Sequence, residues 1–192
     1  IECEENDKIV FGEGITLNDL VFKAVGSDLH IYIGEEQNQG IIIKSHLGSP
    51  DMSHIEFADG SSFDLKNQGL TLVGNSADDK MNGTLHNDVI SGNDGNDEIY
   101  ANEGNDTIIG GRGNDILQGA EGDDMYIYNL GDGFDSISDK SGNDKIIFGE
   151  GISLNDLTFE NRYDDLYIFV KGDRTQGICI SDYFYSEDNQ VE

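Results

Sequence analysis

From Gly74 to Ile127 the chain divides into six consecutive nonapeptides, GNSADDKMN, GTLHNDVIS, GNDGNDEIY, ANEGNDTII, GGRGNDILQ and GAEGDDMYI. The sixth place is always Asp (Asp79, Asp88, Asp97, Asp106, Asp115, Asp124), and the eighth is always large and apolar (Met81, Ile90, Ile99, Ile108, Leu117, Tyr126). A short unit with one apolar side chain cannot bury it alone, so a fixed period of this kind requires the units to stack on one another. After a two-residue slip, Asp135-Ser136-Ile137 and Asp144-Lys145-Ile146 resume the pattern, which extends the array to about Phe148.

The apolar place and its neighbours read as a three-residue strand of about 10 Å with one side chain directed inward. The six preceding residues, rich in Gly, Asn and Asp, read as a turn. Two repeats then close one flattened coil, and repeats two apart stack on the same edge about 4.8 Å apart. Asp79, Asp97 and Asp115 line one edge, and Asp88, Asp106 and Asp124 the other. Carboxylates in such columns repel strongly unless a cation lies between successive turns. Calcium takes six to eight oxygens in flexible geometry and suits carboxylates mixed with carbonyls better than magnesium does.

Composition points the same way. The 192 residues include 39 acidic and 11 basic ones, a formal charge of -28, and only 36% hydrophobic residues. An ion-free fold would repel itself and bury little. This charge argues against nucleic acid as a partner and against unassisted docking on anionic membranes. No apolar run reaches the roughly 18 residues of a membrane span. The N-terminal Ile-Glu-Cys-Glu-Glu has no signal-peptide character, and a start at Ile suggests an excised fragment. Cys3 and Cys179 define neither a disulfide framework nor a metal motif, so free thiols and a single bridge both stay open.

A second repeat flanks the first. Asn6 to Phe22 (NDKIVFGEGITLNDLVF) returns as Asn143 to Phe159 (NDKIIFGEGISLNDLTF), and the match continues more weakly to about Leu47 and Phe184. Alternating stretches at Leu29 to Ile33 and Leu166 to Val170 read as strands, as does Ile55 to Phe57, followed by a turn at Ala58-Asp59-Gly60.

The nonapeptides resemble the RTX family of calcium-binding repeats, and the flanking copies look like the domain that often accompanies them. The resemblance implies an all-β chain: a right-handed parallel β-roll over 74–148, flanked by β-rich units over 1–73 and 149–192. It also implies a ligand set. Each ion takes Asp side chains from two stacked loops, with carbonyls from places one and three of one loop and two and four of the next. Those places are Gly74 and Ser76; Gly83 and Leu85; Gly92, Asn93, Asp94 and Gly95; Ala101, Asn102, Glu103 and Gly104; Gly110, Gly111, Arg112 and Gly113; and Gly119, Ala120, Glu121 and Gly122. About four ions are expected, and six if Asp135 and Asp144 join. Since only carbonyls bind at place two, its non-Gly residues are expected to be tolerated. The resemblance further implies a non-enzymatic module of a Gram-negative exoprotein or toxin, secreted by a type I system and folding in external calcium. An adhesion or polysaccharide-binding module on a host surface is the alternative.

Competing readings are weaker. A Gly/Asn/Asp-rich acidic segment is by composition a disordered linker, but a linker does not keep an apolar residue in phase from Met81 to Tyr126. No segment supplies an EF-hand ligand pattern, and His30, His46, His54 and His86 have no zinc spacing. No Gly-x-Ser-x-Gly elbow is present. Strand aromatics such as Tyr167 and Phe169 read first as packing partners.

Overall fold

The alternation of inward and outward side chains that the sequence sets up is realised almost entirely in strands. The computed structural model describes residues 7–25, 28–34, 39–44, 52–65 and 67–184. Cys3, His46, Leu47 and Tyr185 lie outside the described residues. Strands run in chain order as β1 (Asp7–Phe11), β2 (Leu20–Val25), β3 (Asp28–Ile33), β4 (Gly40–Ile43), β5 (Met52–Phe57), β6 (Ser62–Asp64) and β7 (Thr71–Val73). The roll continues through β8 (Lys80–Asn82), β9 (Val89–Asp94), β10 (Glu98–Glu103), β11 (Thr107–Arg112), β12 (Ile116–Glu121), β13 (Met125–Tyr128), β14 (Phe134–Ser138) and β15 (Lys145–Phe148). Then follow β16 (Leu157–Arg162), β17 (Asp165–Val170) and β18 (Asp173–Ile180).

The chain folds as a parallel β-roll. One face stacks β8, β10, β12 and β14, and the other β7, β9, β11, β13 and β15, all in parallel. Register follows the apolar place: Met81, Ile99, Leu117 and Ile137 are successive partners, as are Leu72, Ile90, Ile108, Tyr126 and Ile146. Met81, Ile90, Ile99 and Ile108 are completely buried, each contributing about 1.5–3 kcal/mol of hydrophobic stabilisation. The two-residue slip is absorbed between β13 and β14 without loss of this register.

Strand length departs from the sequence reading. The strands β9 to β12 are six residues long, not three, and run from place seven through place three of the next repeat. The turn is therefore only places four to six. Burial alternates along each strand, so place one points inward like place eight: Gly92, Ala101, Gly110 and Gly119 are all buried. A short repeat looks turn-rich because the second inward position must be small, and small residues read as turns.

The two flanking copies join the roll at opposite ends and by different strands. In the first, β2-β3-β4 form an antiparallel meander whose β2 pairs in parallel with β7 through Phe22 and Leu72. In the second, β16-β17-β18 form the same meander, but β18 holds β14. The first copy also carries a small sheet, β1-β5-β6, in which β5 pairs in parallel with β1. A single hydrophobic core runs through the flanking units and the roll. Cys179 is buried and has no disulfide partner among the described residues.

Candidate metal centre

From the third repeat on, each place-six aspartate spends one carboxylate oxygen on the backbone of the coil before it. The Asp79 amide donates to Asp97 Oδ1 (2.8 Å), that of Asp97 to Asp115 (2.8 Å), and that of Asp115 to Asp135 (3.1 Å). On the other edge the amide of Asp88 donates to Asp106 (2.7 Å), that of Asp106 to Asp124 (2.8 Å), and that of Asp124 to Asp144 (2.9 Å). The expected pairs are thus brought together in two columns, which Asp135 and Asp144 extend.

The second oxygen decides the chemistry. Oδ2 of Asp97, Asp106, Asp115, Asp124 and Asp144 is buried and accepts no hydrogen bond. Leaving a buried acceptor unmade costs about 1–3 kcal/mol, and more for a charged group. Burial, reinforced by neighbouring carboxylates, pushes Asp106 and Asp124 up to about 7, and Asp115 up to about 6. Asp135 rises to about 8 for the same reasons, and Asp88, Asp97 and Asp144 are also raised, chiefly by burial. Five aligned, desolvated acceptors fit a hard dication that binds oxygen.

The first coil is different. Asp79 Oδ2 accepts from the Asn75 amide (2.6 Å), and Asp88 Oδ2 from the amide of Thr84 (2.5 Å) and its hydroxyl (3.1 Å). Local donors there occupy the acceptor that the later coils leave free.

The glycine pattern follows from this packing. At place one, a Cβ on Gly92, Gly110 or Gly119 would overlap Oδ2 of Asp97, Asp115 or Asp124 in the same repeat. At place four, Gly95, Gly104, Gly113 and Gly122 have φ between 124° and 149° and lie against the carbonyls of Ala77, His86, Gly95 and Gly104 one coil earlier. Ala77 and His86 belong to the first two repeats, so no earlier repeat lies beneath them, although the segment leading into β7 packs under the second, with Gly69 against the Asn87 carbonyl and the Leu70 carbonyl accepting from the Val89 amide (2.9 Å). The place-three side chains of Ser76, Leu85, Asp94, Glu103, Arg112 and Glu121 are exposed. The carbonyls of Arg112 and Glu121 accept from the amides of Gly95 and Gly104 (both 2.9 Å).

Tolerance at place two is narrower than the sequence suggested, because the position is left-handed: φ is 78° at Asn93, 79° at Asn102, 101° at Gly111 and 85° at Ala120. Asn suits this conformation, and Asn93 and Asn102 also donate to the carbonyls of Gly74 (2.9 Å) and Gly83 (3.0 Å). Ala120 has no such compensation. Ala120→Gly is expected to stabilise the calcium-loaded roll by up to about 1 kcal/mol, the relieved strain less the added chain entropy. Urea unfolding at saturating calcium checks this, and a destabilised variant would contradict it.

Two features escaped the sequence reading. Place five is Asn or Asp in all six repeats, and each side chain accepts from the place-five amide of the next coil, as in Asn114 to Asn96 Oδ1 (2.9 Å) and Asp123 to Asn105 Oδ1 (2.9 Å). Asp139 occupies place one of a further repeat, DKSGNDKII, where the others carry Gly or Ala. Oxygens of Asp124, Asp139 and Asp144 all lie within 4.8 Å of one another, and Asp139 accepts from the Tyr126 hydroxyl (2.5 Å). Burial raises Asp139 to about 6.

Residues 73–108, 91–126, 100–134 and 127–153 each match the family model described as the RTX calcium-binding nonapeptide repeat. Residues 73–153 are RTX repeats. RTX repeats bind calcium, and the orphaned carboxylate oxygens of this roll fit that ion. The fold is also similar to the extracellular lipase LipA from Serratia marcescens, at 18% identity and a TM-score of 0.46 over 92% of this chain. The chain spans about a third of that lipase's length, 32%. No curated protein sequence matches. Among the described residues, no helix is long and apolar enough to cross a membrane.

Proposed function

We propose that this chain is a calcium-driven folding module, in which ions held between successive coils convert an acidic, self-repelling chain into a rigid roll. The observation that carries it is the two columns of buried carboxylate oxygens without donors, at Asp97 and Asp115 on one edge and at Asp106, Asp124 and Asp144 on the other. Asp135 and Asp139 are added as ligands at the late coils, with carbonyls of places one to four completing each shell. About four ions, and up to six, accord with the number of stacked carboxylate pairs. Because the unfolded chain has no preformed site, ion binding and folding are one equilibrium.

The module belongs, on this reading, to a longer secreted exoprotein that leaves a low-calcium cytosol unfolded and orders outside, with any catalysis located elsewhere in that protein. We divide it as 1–73, 74–148 and 149–192. The adhesion reading gains less, because the aromatic row Phe134, Tyr167 and Phe169 lies under Arg162 and Arg174 and reads as a packed face.

Calcium titration of depleted protein, followed by far-UV circular dichroism with magnesium as control, should give a cooperative, calcium-specific rise in β signal. Asp106→Asn keeps the Oδ1 acceptor while removing the charge. Losing about 1.4 kcal/mol of ion binding there weakens that site about tenfold and raises the midpoint of a cooperative four-ion transition about twofold, whereas Asp94→Asn at exposed place three leaves it unchanged. A flat titration defeats the proposal.

A further inference from the structure

The duplication shows one apolar surface twice, once covered and once open. Strands β1, β2, β3 and β4 correspond in sequence to β15, β16, β17 and β18. In the first copy Ile9, Phe11, Leu20 and Phe22 are all buried. Their cover is the segment 52–73: Phe57 stacks on Phe11 (5.9 Å), Phe63 packs on Phe22 (5.8 Å), and Leu72 pairs with Phe22. In the second copy the counterparts Ile146, Phe148, Leu157 and Phe159 are all more exposed, Phe159 at 52% against 9% for Phe22. They line an open apolar groove of about 350 Å³.

The backbone edges repeat the contrast. One edge of β2 holds β3 and the other holds β7, the first strand of the roll. Among the described residues its counterpart β16 holds only β17 and is the edge strand of its sheet. Conversely, β18 grips β14 by the edge to which, among the described residues, no strand pairs on its counterpart β4. Each copy therefore carries one edge that closes a roll and one that opens a roll, and this chain uses them in opposite senses.

We propose that the groove of the second copy is a docking site for a further segment of the 52–73 kind, which starts a new roll on β16. The occupant is specified by the first copy: a β-hairpin with aromatic residues placed like Phe57 and Phe63, then a short strand with a Leu72-like residue entering parallel to β16. Apolar closure of this kind also removes an exposed sheet edge, which is otherwise a site of unspecific pairing. The flanking units are connectors between rolls, each reading the end of one and templating the next. This rests on the duplication and not on the calcium reading, so the two fail separately.

The test extends the full chain by a copy of residues 52–73 after Asp188, the counterpart of Asp51, with Phe159→Trp as the sole tryptophan of the protein. In calcium, the extended chain should show blue-shifted emission and several-fold slower acrylamide quenching than the unextended chain. An extension of scrambled sequence, or one with Asp at the positions of Phe63 and Leu72, should show neither. Circular dichroism of the same samples reads roll formation independently. Unchanged emission on extension, or the same shift with the scrambled segment, overturns the proposal. A concentration-dependent blue shift in the unextended chain also overturns it, since a second copy of the chain would then be the occupant.

Discussion

Removing calcium at about pH 8 is expected to melt the roll, and lowering the pH of the same calcium-free protein to about 5 is expected to restore much of it. The sign follows from the direction of the shifts. Burial raises Asp106 and Asp124 to about 7, Asp135 to about 8, and Asp115 and Asp139 to about 6 in the folded state, against about 3.9 for an unfolded Asp. A group whose folded value is raised contributes stability that is fully present below its unfolded value and is lost as pH rises through its folded value. For these five the loss runs progressively from about pH 4, the unfolded value, and is complete by about pH 6 to 8, the folded values. Each unit corresponds to about 1.4 kcal/mol, so ionising even two of them without a cation removes several kcal/mol from a total stability of about 5–15 kcal/mol. With calcium saturating, the dependence reverses, because the ion requires the deprotonated form and acid competes with it. The two stability curves, measured by urea unfolding from about pH 4 to 9 with and without calcium, should therefore cross. A calcium-free chain equally ordered, or equally disordered, across that range would show that these carboxyls do not carry the switch.

The period made much of this legible. Place eight fixed the inward column, and the stacking of repeats two apart placed Asp97 beside Asp115 and Asp106 beside Asp124, as the amide-to-carboxylate bonds show. Other features depend on contacts that a period does not encode. Place one reads as turn because Gly is a turn residue, yet Gly92 and Gly110 are inward strand positions cleared for a carboxylate oxygen. The two-residue slip hides the phase of Asp139, although counting back from Asp144 puts it at place one. The place-five ladder had a visible signal, Asn or Asp in every repeat, whose partner lies one coil away. How the flanking copies attach was not legible at all: nearly identical sequences use β2 in one case and β18 in the other, and the choice rests on which roll strand lies beside them.

Gly113→Ala is expected to break the stack at its centre. Place four of the fifth repeat has φ of 149°, a conformation that L side chains rarely adopt, and its strain contributes about 1–3 kcal/mol. A Cβ there would overlap the Gly95 carbonyl one coil below, and forcing the coils apart adds about 1–3 kcal/mol of overpacking. Gly113 also bridges to Gly133 in the next coil, so displacement on one side cannot be relieved on the other. Together the loss is about 2–6 kcal/mol in calcium, and ion uptake by the coils on that edge should weaken with it. The first repeat supplies the internal control: Ala77 holds the same place with no coil beneath, so Ala77→Gly, like Arg112→Ala at exposed place three, should change stability by less than about 1 kcal/mol. Urea unfolding of the three variants at saturating calcium separates the cases. If Gly113→Ala unfolds within about 1 kcal/mol of the parent, place-four glycine is not required by stacking, and its recurrence every nine residues must come from the ligand carbonyl alone.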